Sequence, residues 1–270
     1  MITDMNAKIL ERLSLIETTH GVEILFAVEA GSRVWGFAGE DSDYDVRFVY
    51  KRPLNHYLSI LDRRDVIEAP SSDGIDLQGW DMKKALYQFG RGNPQFNEWL
   101  ASPIRYRDSD FTPKLIALKG AYFNSRVALL HYFHLAANNQ RSYLQGEVVQ
   151  YKKYLHVVRA LLCCLVVDKT KTNPPIHLDD LLREVGDNQL VGLVRDLIKM
   201  KIAGDLSGPP ISFLDHWINA LLDLFSAITR GKFKKVTSSH DDLNDLMFWE
   251  LVGWGDFGLS RIGERCDIVH

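Results

Sequence analysis

The strand-like patterns of this chain are confined to its first 80 residues, and this confinement is the strongest constraint on its fold. β-rich apolar runs cover residues 22–28, 44–50, 65–69 and 75–80. From about residue 93 onward, apolar residues recur at helical spacing instead. The order predicts an α+β fold, in which an N-terminal domain with a small mixed β-sheet precedes an all-helical domain.

Helical patterns set the predicted domain division. An amphipathic helix precedes the first strand, and another, over 82–89, has Asp81 placed to cap it. The later helices are predicted over residues 94–101, 113–137, 143–168, 178–185, 189–203, 213–230 and 241–252. We expect residues 1–110 to form the sheet domain, with helices on one side of the sheet. Residues 111–270 are expected to form the helical domain.

Composition narrows the class of protein. The chain has 270 residues, of which 46% are hydrophobic and 25% charged, so it is long and apolar enough for globular domains. A net charge of −3 gives no general attraction to nucleic acid or membrane, and such binding would need local patches. The N-terminal residues are charged, and the longest apolar run, 160–167, is too short for a bilayer. With only three cysteines, this predicts a cytoplasmic protein without a membrane segment.

The segment from residue 29 to residue 50 carries the clearest chemical signal. Gly31-Ser32 follows the first strand, where a glycine turn and a hydroxyl can approach phosphate oxygens. Asp43 and Asp45 lie two residues apart on the next strand, so their carboxylates project from one face. Carboxylates this close repel each other unless a cation neutralises them, and Mg²⁺ favours carboxylates together with substrate phosphates.

A third carboxylate is expected from a neighbouring strand. Asp76 is flanked by apolar residues, as expected for one charge on a half-buried strand, and we prefer it as the third ligand. Asp81 remains an alternative, although its place before a helix favours a capping role. Glu29 is expected to orient a loop rather than to bind metal.

These motifs resemble the DNA polymerase β-type nucleotidyltransferases, and more closely the predicted RNA-repair-pathway DNA polymerase β family. The resemblance is carried by Gly31-Ser-Arg-Val-Trp-Gly-Phe37, Ser42-Asp-Tyr-Asp-Val-Arg-Phe-Val-Tyr50, Asp76-Leu-Gln-Gly-Trp-Asp81, Asn93-Pro94, Glu98-Trp99 and Tyr151-Lys-Lys-Tyr154. It implies a nucleotidyltransferase domain followed by a helical substrate-binding domain. It also implies that Asp43, Asp45 and Asp76 hold two Mg²⁺ or Mn²⁺ ions for catalysis on a nucleoside triphosphate.

Basic residues are the candidates for nucleotide and acceptor binding. Arg33 follows Ser32, and Arg47 lies two residues after Asp45 on the same strand face, so each can contact a phosphate. The alternative is an ion pair with one aspartate for Arg47 and a solvated loop position for Arg33. Lys152, His156 and Arg159 share one helical face and are expected to bind phosphates, a solvated face being the alternative. The basic residues 230–235 are a weaker candidate for contact with RNA phosphates.

The predicted reaction transfers a nucleoside monophosphate from a nucleoside triphosphate to a hydroxyl and releases pyrophosphate. RNA is the expected acceptor, and that expectation rests mainly on the resemblance. A small molecule or a protein side chain is the alternative acceptor. A nucleotide-binding regulator without turnover is the alternative in another class of protein. The sequence leaves open the base, the dependence on a template and the oligomeric state.

Overall fold

The computed structural model describes residues 2–61, 63–204, 207–231 and 239–253. The strands are β1 Glu23–Ala30, β2 Tyr44–Lys51, β3 Val66–Ser72, β4 Ile75–Asp81, β5 Arg105–Arg107, β6 Val149–Gln150 and β7 Ser207–Gly208. The helices are α1 Ile2–His20, α2 Gly31–Trp35, α3 Leu54–Tyr57, α4 Met82–Gly90, α5 Pro94–Ala101, α6 Phe111–Tyr122, α7 Ser125–Tyr143, α8 Tyr151–Thr170, α9 Leu178–Val185, α10 Asn188–Ile202, α11 Ser212–Thr229 and α12 Asp241–Val252. The α+β class and the four predicted strands are confirmed.

A mixed five-stranded sheet carries the N-terminal part of the chain. Its strand order is β3-β4-β2-β1-β5, and only β2 and β4 pair in parallel. The edge strand β5 is too short for its alternation to be recognised in the sequence. The separate pair β6 and β7 contributes two residues per strand. The central parallel pair brings the starts of β2 and β4 side by side, which decides where the acidic residues meet.

Helices cover both faces of this sheet, so the expectation of helices on one side was wrong. On one face, α1 packs through residues such as Ile9 and Leu13 against Val46 and Phe48 of β2. On the other face, α4, α5, α6 and α12 pack around the inward side chains of the central strands, with Trp80 among them. Strand alternation explains the result, because both faces of β2 and β4 carry large apolar residues.

The helical part of the chain packs around α8, whose residues are mostly buried. The helix predicted over 113–137 is divided, because Asn124 caps a new helix by accepting a hydrogen bond from the backbone N–H of Val127 (3.1 Å). The helix predicted from residue 143 begins at Tyr151 instead. No helix of the described part of the chain combines the length and apolar character that a bilayer crossing requires.

The apolar clusters cross the division predicted at residue 110. Phe111 and Leu115 of α6 and Leu243 of α12 belong to the cluster on the sheet, although they lie far apart in sequence. In the opposite direction, Phe37 follows α2 and is buried among the helices around α8. The division at residue 110 stays a prediction, and these contacts hold the loop after α2 against the helical part.

Candidate active site

Two of the predicted carboxylates lie opposite each other at the start of the parallel strand pair. Asp45 of β2 and Asp76 of β4 are register partners. Their side chains share the sheet face on which Val49 and Trp80 contribute to the apolar cluster farther along the same strands. Asp43 immediately precedes β2 and is exposed. The fold therefore brings Asp45 and Asp76 together from residues 31 positions apart, with Asp43 beside them.

Arg47 bridges the two facing carboxylates. Its Nη2 atom donates to Oδ1 of Asp45 (3.1 Å) and to Oδ2 of Asp76 (2.8 Å). Its Nη1 atom donates to the carbonyl oxygens of Val46 (3.2 Å) and Asp76 (3.3 Å). The ion pair that the sequence allowed with one aspartate is thus formed with both. Arg47 supplies positive charge to the carboxylates from their own sheet face.

Electrostatics couple the three acidic side chains. Burial raises the pKa of Asp45, Arg47 opposes this rise, and the charges of Asp76 and Asp43 add to it. The three carboxylates are therefore close enough to repel one another. Carboxylates that repel one another fit a hard divalent cation such as Mg²⁺, because the ion takes oxygen ligands and relieves the repulsion.

Gly31 leaves open the space beside Asp45. Its φ is +64°, in the region that favours glycine. A Cβ atom at this position would lie only 2.1 Å from Oδ2 of Asp45 and 3.0 Å from its Cγ. A side chain here would displace the carboxylate, so the requirement for glycine is steric as well as conformational. The turn expected at Gly31-Ser32 is present, and it lies next to the acidic residues.

Arg33 and Ser32 shape the loop that leads to the acidic strand. The Arg33 guanidinium lies over the ring of Tyr44, with Cζ 3.6 Å from the ring centroid. It also donates to the carbonyl oxygens of Ser42 (2.5 Å) and Asp43 (3.2 Å). Ser32 accepts backbone hydrogen bonds at its carbonyl oxygen from the residues that close α2. In this arrangement Arg33 fixes the approach of the chain to Asp43.

Glu29 was expected to orient a loop, and in the structure it instead holds the backbone of the acidic strand β2. Its side chain is fully buried, and Oε1 accepts the backbone N–H of Asp45 (2.9 Å). Oε2 accepts a short hydrogen bond from the hydroxyl of Tyr106 on β5. Burial raises the pKa of Glu29, while the bonds from Tyr106 and Asp45 oppose the rise. Tyr106 was not predicted, because its strand is only three residues long.

The predicted basic stripe of α8 does not face the carboxylates as a unit. Arg159 is buried and donates to Oε1 of Glu98 on α5 (3.1 Å) and to the carbonyl oxygen of Ile176 (3.2 Å). Glu98 also accepts from the indole of Trp35 (3.1 Å) and the hydroxyl of Tyr132 (2.9 Å). These contacts join α5, α7 and α8 to the segment after β1, so Arg159 lies inside the protein.

His156 and Lys152 take different positions on the same helix. The His156 ring packs edge-on against Trp35 and Phe37, with ring centroids 5.5 and 5.8 Å away. Burial, assisted by nearby lysines, lowers its pKa to about 4, so the ring is neutral at pH 7. Lys152 is exposed. Of the predicted stripe, only Lys152 remains available to a ligand as a cation.

Lys201 of α10 is a residue that the sequence analysis missed. Its ammonium donates to the carbonyl oxygen of Phe37 (2.6 Å) and lies 3.5 Å from Oγ of Ser42. Burial lowers the pKa of Lys201, and the charges of Lys152 and Arg33 add to this effect. Three cations thus surround the loop between the glycine turn and the acidic strand. No sequence pattern marks Lys201, because only the packing of α10 brings it there.

The remaining candidates fall elsewhere. Asp81 caps α4 by accepting the backbone N–H of Lys83 (2.9 Å), which confirms its predicted capping role. Cys163 and Cys164 are buried in α8. Of the basic residues 230–235, residues 232–235 lie outside the described residues, as does Cys266. Within the described ranges, no cluster of three histidine, cysteine or acidic residues has the geometry of a preformed metal site.

Comparison with known proteins identifies the family. The fold of the sheet and the family whose model matches this chain support a transferase of the nucleotidyltransferase type. The chain belongs to the RNA repair pathway DNA polymerase beta family, whose model matches residues 5–248. The resemblance seen in the sequence is thereby confirmed.

Individual proteins were compared as well. The chain is 40% identical over 203 residues to the uncharacterized protein YcgL of Bacillus subtilis (strain 168), covering 74% of this chain and 78% of that protein. A crystal structure of a nucleotidyltransferase-like protein from Exiguobacterium sibiricum 255-15 is 13% identical, with a TM-score of 0.28. That match covers 82% of this chain and 74% of the other, and a similarity of this size supports no inference about function.

Proposed function

We propose that this chain is a metal-dependent nucleotidyltransferase that moves a nucleoside monophosphate from a nucleoside triphosphate to a hydroxyl of an RNA end. The observation that carries the proposal is the register pairing of Asp45 with Asp76, next to the open space at Gly31. Family membership supports the class of reaction and an RNA-repair context. With a net charge of −3 for the whole chain, contact with RNA would depend on local basic residues.

In this proposal Asp43, Asp45 and Asp76 hold two Mg²⁺ or Mn²⁺ ions. Bound there, the ions would neutralise phosphate charge and lower the pKa of the attacking hydroxyl. Asp76 accepts the proton of that hydroxyl. Glu29 fixes Asp45 through the backbone hydrogen bond, and Arg47 orients Asp45 and Asp76.

The triphosphate is assigned to the side of the site that faces the helical part. Gly31 permits close approach to the backbone, and Ser32 supplies a hydroxyl. Lys152, Lys153 and Lys201 add positive charge, and none of them forms an ion pair with another described residue. Lysines that lie close together without acidic partners are stabilised by an anion, which supports a phosphate site there. Arg159 and His156 support this wall from inside.

Label transfer tests the proposal directly. The full chain is incubated with each α-labelled nucleoside triphosphate, Mg²⁺ or Mn²⁺, and a mixed pool of RNA. We expect label in RNA with wild-type protein and none with Asp45→Asn. Label in a small molecule or in protein would overturn the RNA acceptor and keep the chemistry. Absence of transfer from every triphosphate to any acceptor would overturn the proposed function.

The predicted cytoplasmic location belongs to the same proposal. Cys163 and Cys164 are free thiols in the structure. Thiols without a disulfide suit a reducing compartment. Fractionation of cells that express the tagged chain would test this location.

A further inference from the structure

A cavity lies at the end of the sheet opposite the acidic site. The ladder of β2 with β4 runs from the pair Asp45 and Asp76 to the pair Tyr50 and Asp81, five residues farther along. At about 3.3 Å per residue the two ends are ~16 Å apart. The cavity has a volume of about 510 Å³ and is bounded by the segment around α3, the start of α4, and α12. Ligand pockets of small molecules are typically ~300–1,000 Å³, so this one can hold a compact ligand.

Its acidic residues already have donors of their own. Asp81 accepts from the backbone N–H of Lys83 (2.9 Å) and from the hydroxyl of Tyr57 (3.2 Å). Asp65 accepts from the ammonium of Lys84 (2.9 Å). Neither carboxylate therefore needs a cation from a ligand.

Two basic residues that line the cavity have no acidic partner among the described residues. Arg63 and Lys83 line the cavity, are exposed, and form no ion pair with another described residue. His56, which also lines it, has a pKa lowered by burial and by the charge of Arg52 and contributes no positive charge at pH 7. The surplus charge of the lining is thus positive and comes from side chains that point into a concave space. That combination selects an anion, and phosphate is an anion that both arginine and lysine bind in proteins.

Aromatic and apolar side chains form the rest of the wall. Tyr57, Tyr87 and His240 contribute rings, and Leu243 and Met247 contribute apolar surface from α12. Tyr87 is 54% exposed, which leaves much of an aromatic side chain in water. A nucleobase stacks on such rings, while a simple sugar phosphate would leave them uncovered.

We infer that this cavity binds a nucleotide unit, with its phosphate at Arg63 and Lys83 and its base against the aromatic wall. The unit can come from a free mononucleotide or from an RNA strand, since both present the same chemistry. The site is separate from the proposed transfer site and does not depend on it. A chain that transfers nothing would still bind at this cavity.

Binding measurements on the full chain test the inference. The Asp45→Asn variant without divalent metal is titrated with AMP, with adenosine and with a short oligoribonucleotide. We expect binding of AMP or of the oligoribonucleotide, and at least tenfold weaker binding of adenosine than of AMP. Affinity should fall at least tenfold when Arg63→Glu and Lys83→Glu are added. Lys199→Glu reverses one charge, as each of these substitutions does, on an exposed part of α10 and should leave affinity unchanged.

The source of the nucleotide follows from the same titrations. An oligoribonucleotide that binds at least tenfold more tightly than AMP identifies an RNA strand, and otherwise the ligand is a free mononucleotide. Tyr87→Ala should weaken either ligand while the melting temperature stays close to that of the parent. The inference is overturned if neither ligand binds, if adenosine binds as tightly as AMP, or if the double charge reversal leaves affinity unchanged.

Discussion

Two arginine–carboxylate clusters of this chain differ in how far they are closed to solvent. Arg47 is 15% exposed, while the side chains of Asp45 and Asp76 are 33% and 42% exposed. In the other cluster Arg159 is 3% exposed and Glu98 is 18% exposed. Both clusters pair one guanidinium with carboxylate oxygens at about the same distance. The first keeps oxygens that face an open space, whereas the second is enclosed by α5, α7 and α8.

The open cluster has the exposure of a ligand-binding site, whereas the closed cluster has that of a structural ion pair. In the closed one, the two oxygens of Glu98 accept from Trp35, Tyr132 and Arg159, so a ligand has nothing to contact. Removing a member of a buried pair leaves a charge without a partner, which is costly. The open one leaves the side chains of Asp45 and Asp76 partly exposed to a ligand. We therefore expect its variants to affect chemistry and variants of the closed one to affect folding.

The largest effect is expected for Asp45→Asn. Transfer should fall by at least about a hundredfold, because a ligand of the proposed catalytic ions is lost. Folding should be preserved: burial raises the pKa of Asp45, so ionisation of this carboxyl costs free energy in the folded protein and its removal costs little stability. Label transfer and thermal unfolding without metal measure the two quantities. A melting temperature well below that of wild type would contradict the assignment of Asp45 to the open cluster.

The next largest effect is expected for Arg159→Met, which leaves Glu98 without its guanidinium. Breaking a buried pair costs about 3 kcal/mol of unfolding free energy. Denaturant unfolding measures this loss, and Glu98→Gln combined with Arg159→Met should recover part of it. Folded Arg159→Met protein should retain its Km for the triphosphate. If that Km rises tenfold while stability is unchanged, Arg159 contacts nucleotide, as its place in the stripe suggested.

A smaller effect is expected for Glu29→Leu, which removes the acceptor for the backbone N–H of Asp45. Transfer should fall about tenfold, since a hydrogen bond to a charged group contributes ~1.5 kcal/mol. Glu29→Gln retains an acceptor oxygen and should restore most of the rate. Steady-state measurement of kcat and Km distinguishes the variants, with the change expected in kcat. Equal losses in the two variants would show that Glu29 acts through its charge instead.

The smallest effect is expected for His156→Phe, beside the closed cluster. Below pH 6.5 the unfolded chain protonates His156, whereas the folded chain does so only near pH 4. Stability from the neutral ring is therefore lost as pH falls from 6.5 to 4. Phenylalanine cannot be protonated, so the variant should gain about 1 kcal/mol relative to wild type between pH 7 and pH 5.5. If the difference in unfolding free energy between the two proteins is the same at both pH values, the His156 ring is not a buried neutral group.

The sequence predicted local structure better than it predicted which side chains become buried. Tyr44–Lys51 and Ile75–Asp81 were located to within one residue because their apolar patterns are long and regular. The sequence also placed Lys152 and Arg159 in one helix, and both lie in α8. What periodicity cannot supply is the partner of each side chain. Glu98 lies 61 residues from Arg159, and Lys201 reaches its loop across 164 residues, so tertiary packing decides both.

The position of Arg47 bears on whether the chain needs metal in order to fold. Small metal-dependent domains stay unfolded until their ion arrives, because their ligands have nothing else to hold them together. Here an arginine of the same strand already forms hydrogen bonds with both facing carboxylates. If the site binds the ions proposed above, a newly synthesised chain can complete its fold during metal shortage and acquire them later. Supply of metal would then control activity without controlling the amount of folded protein.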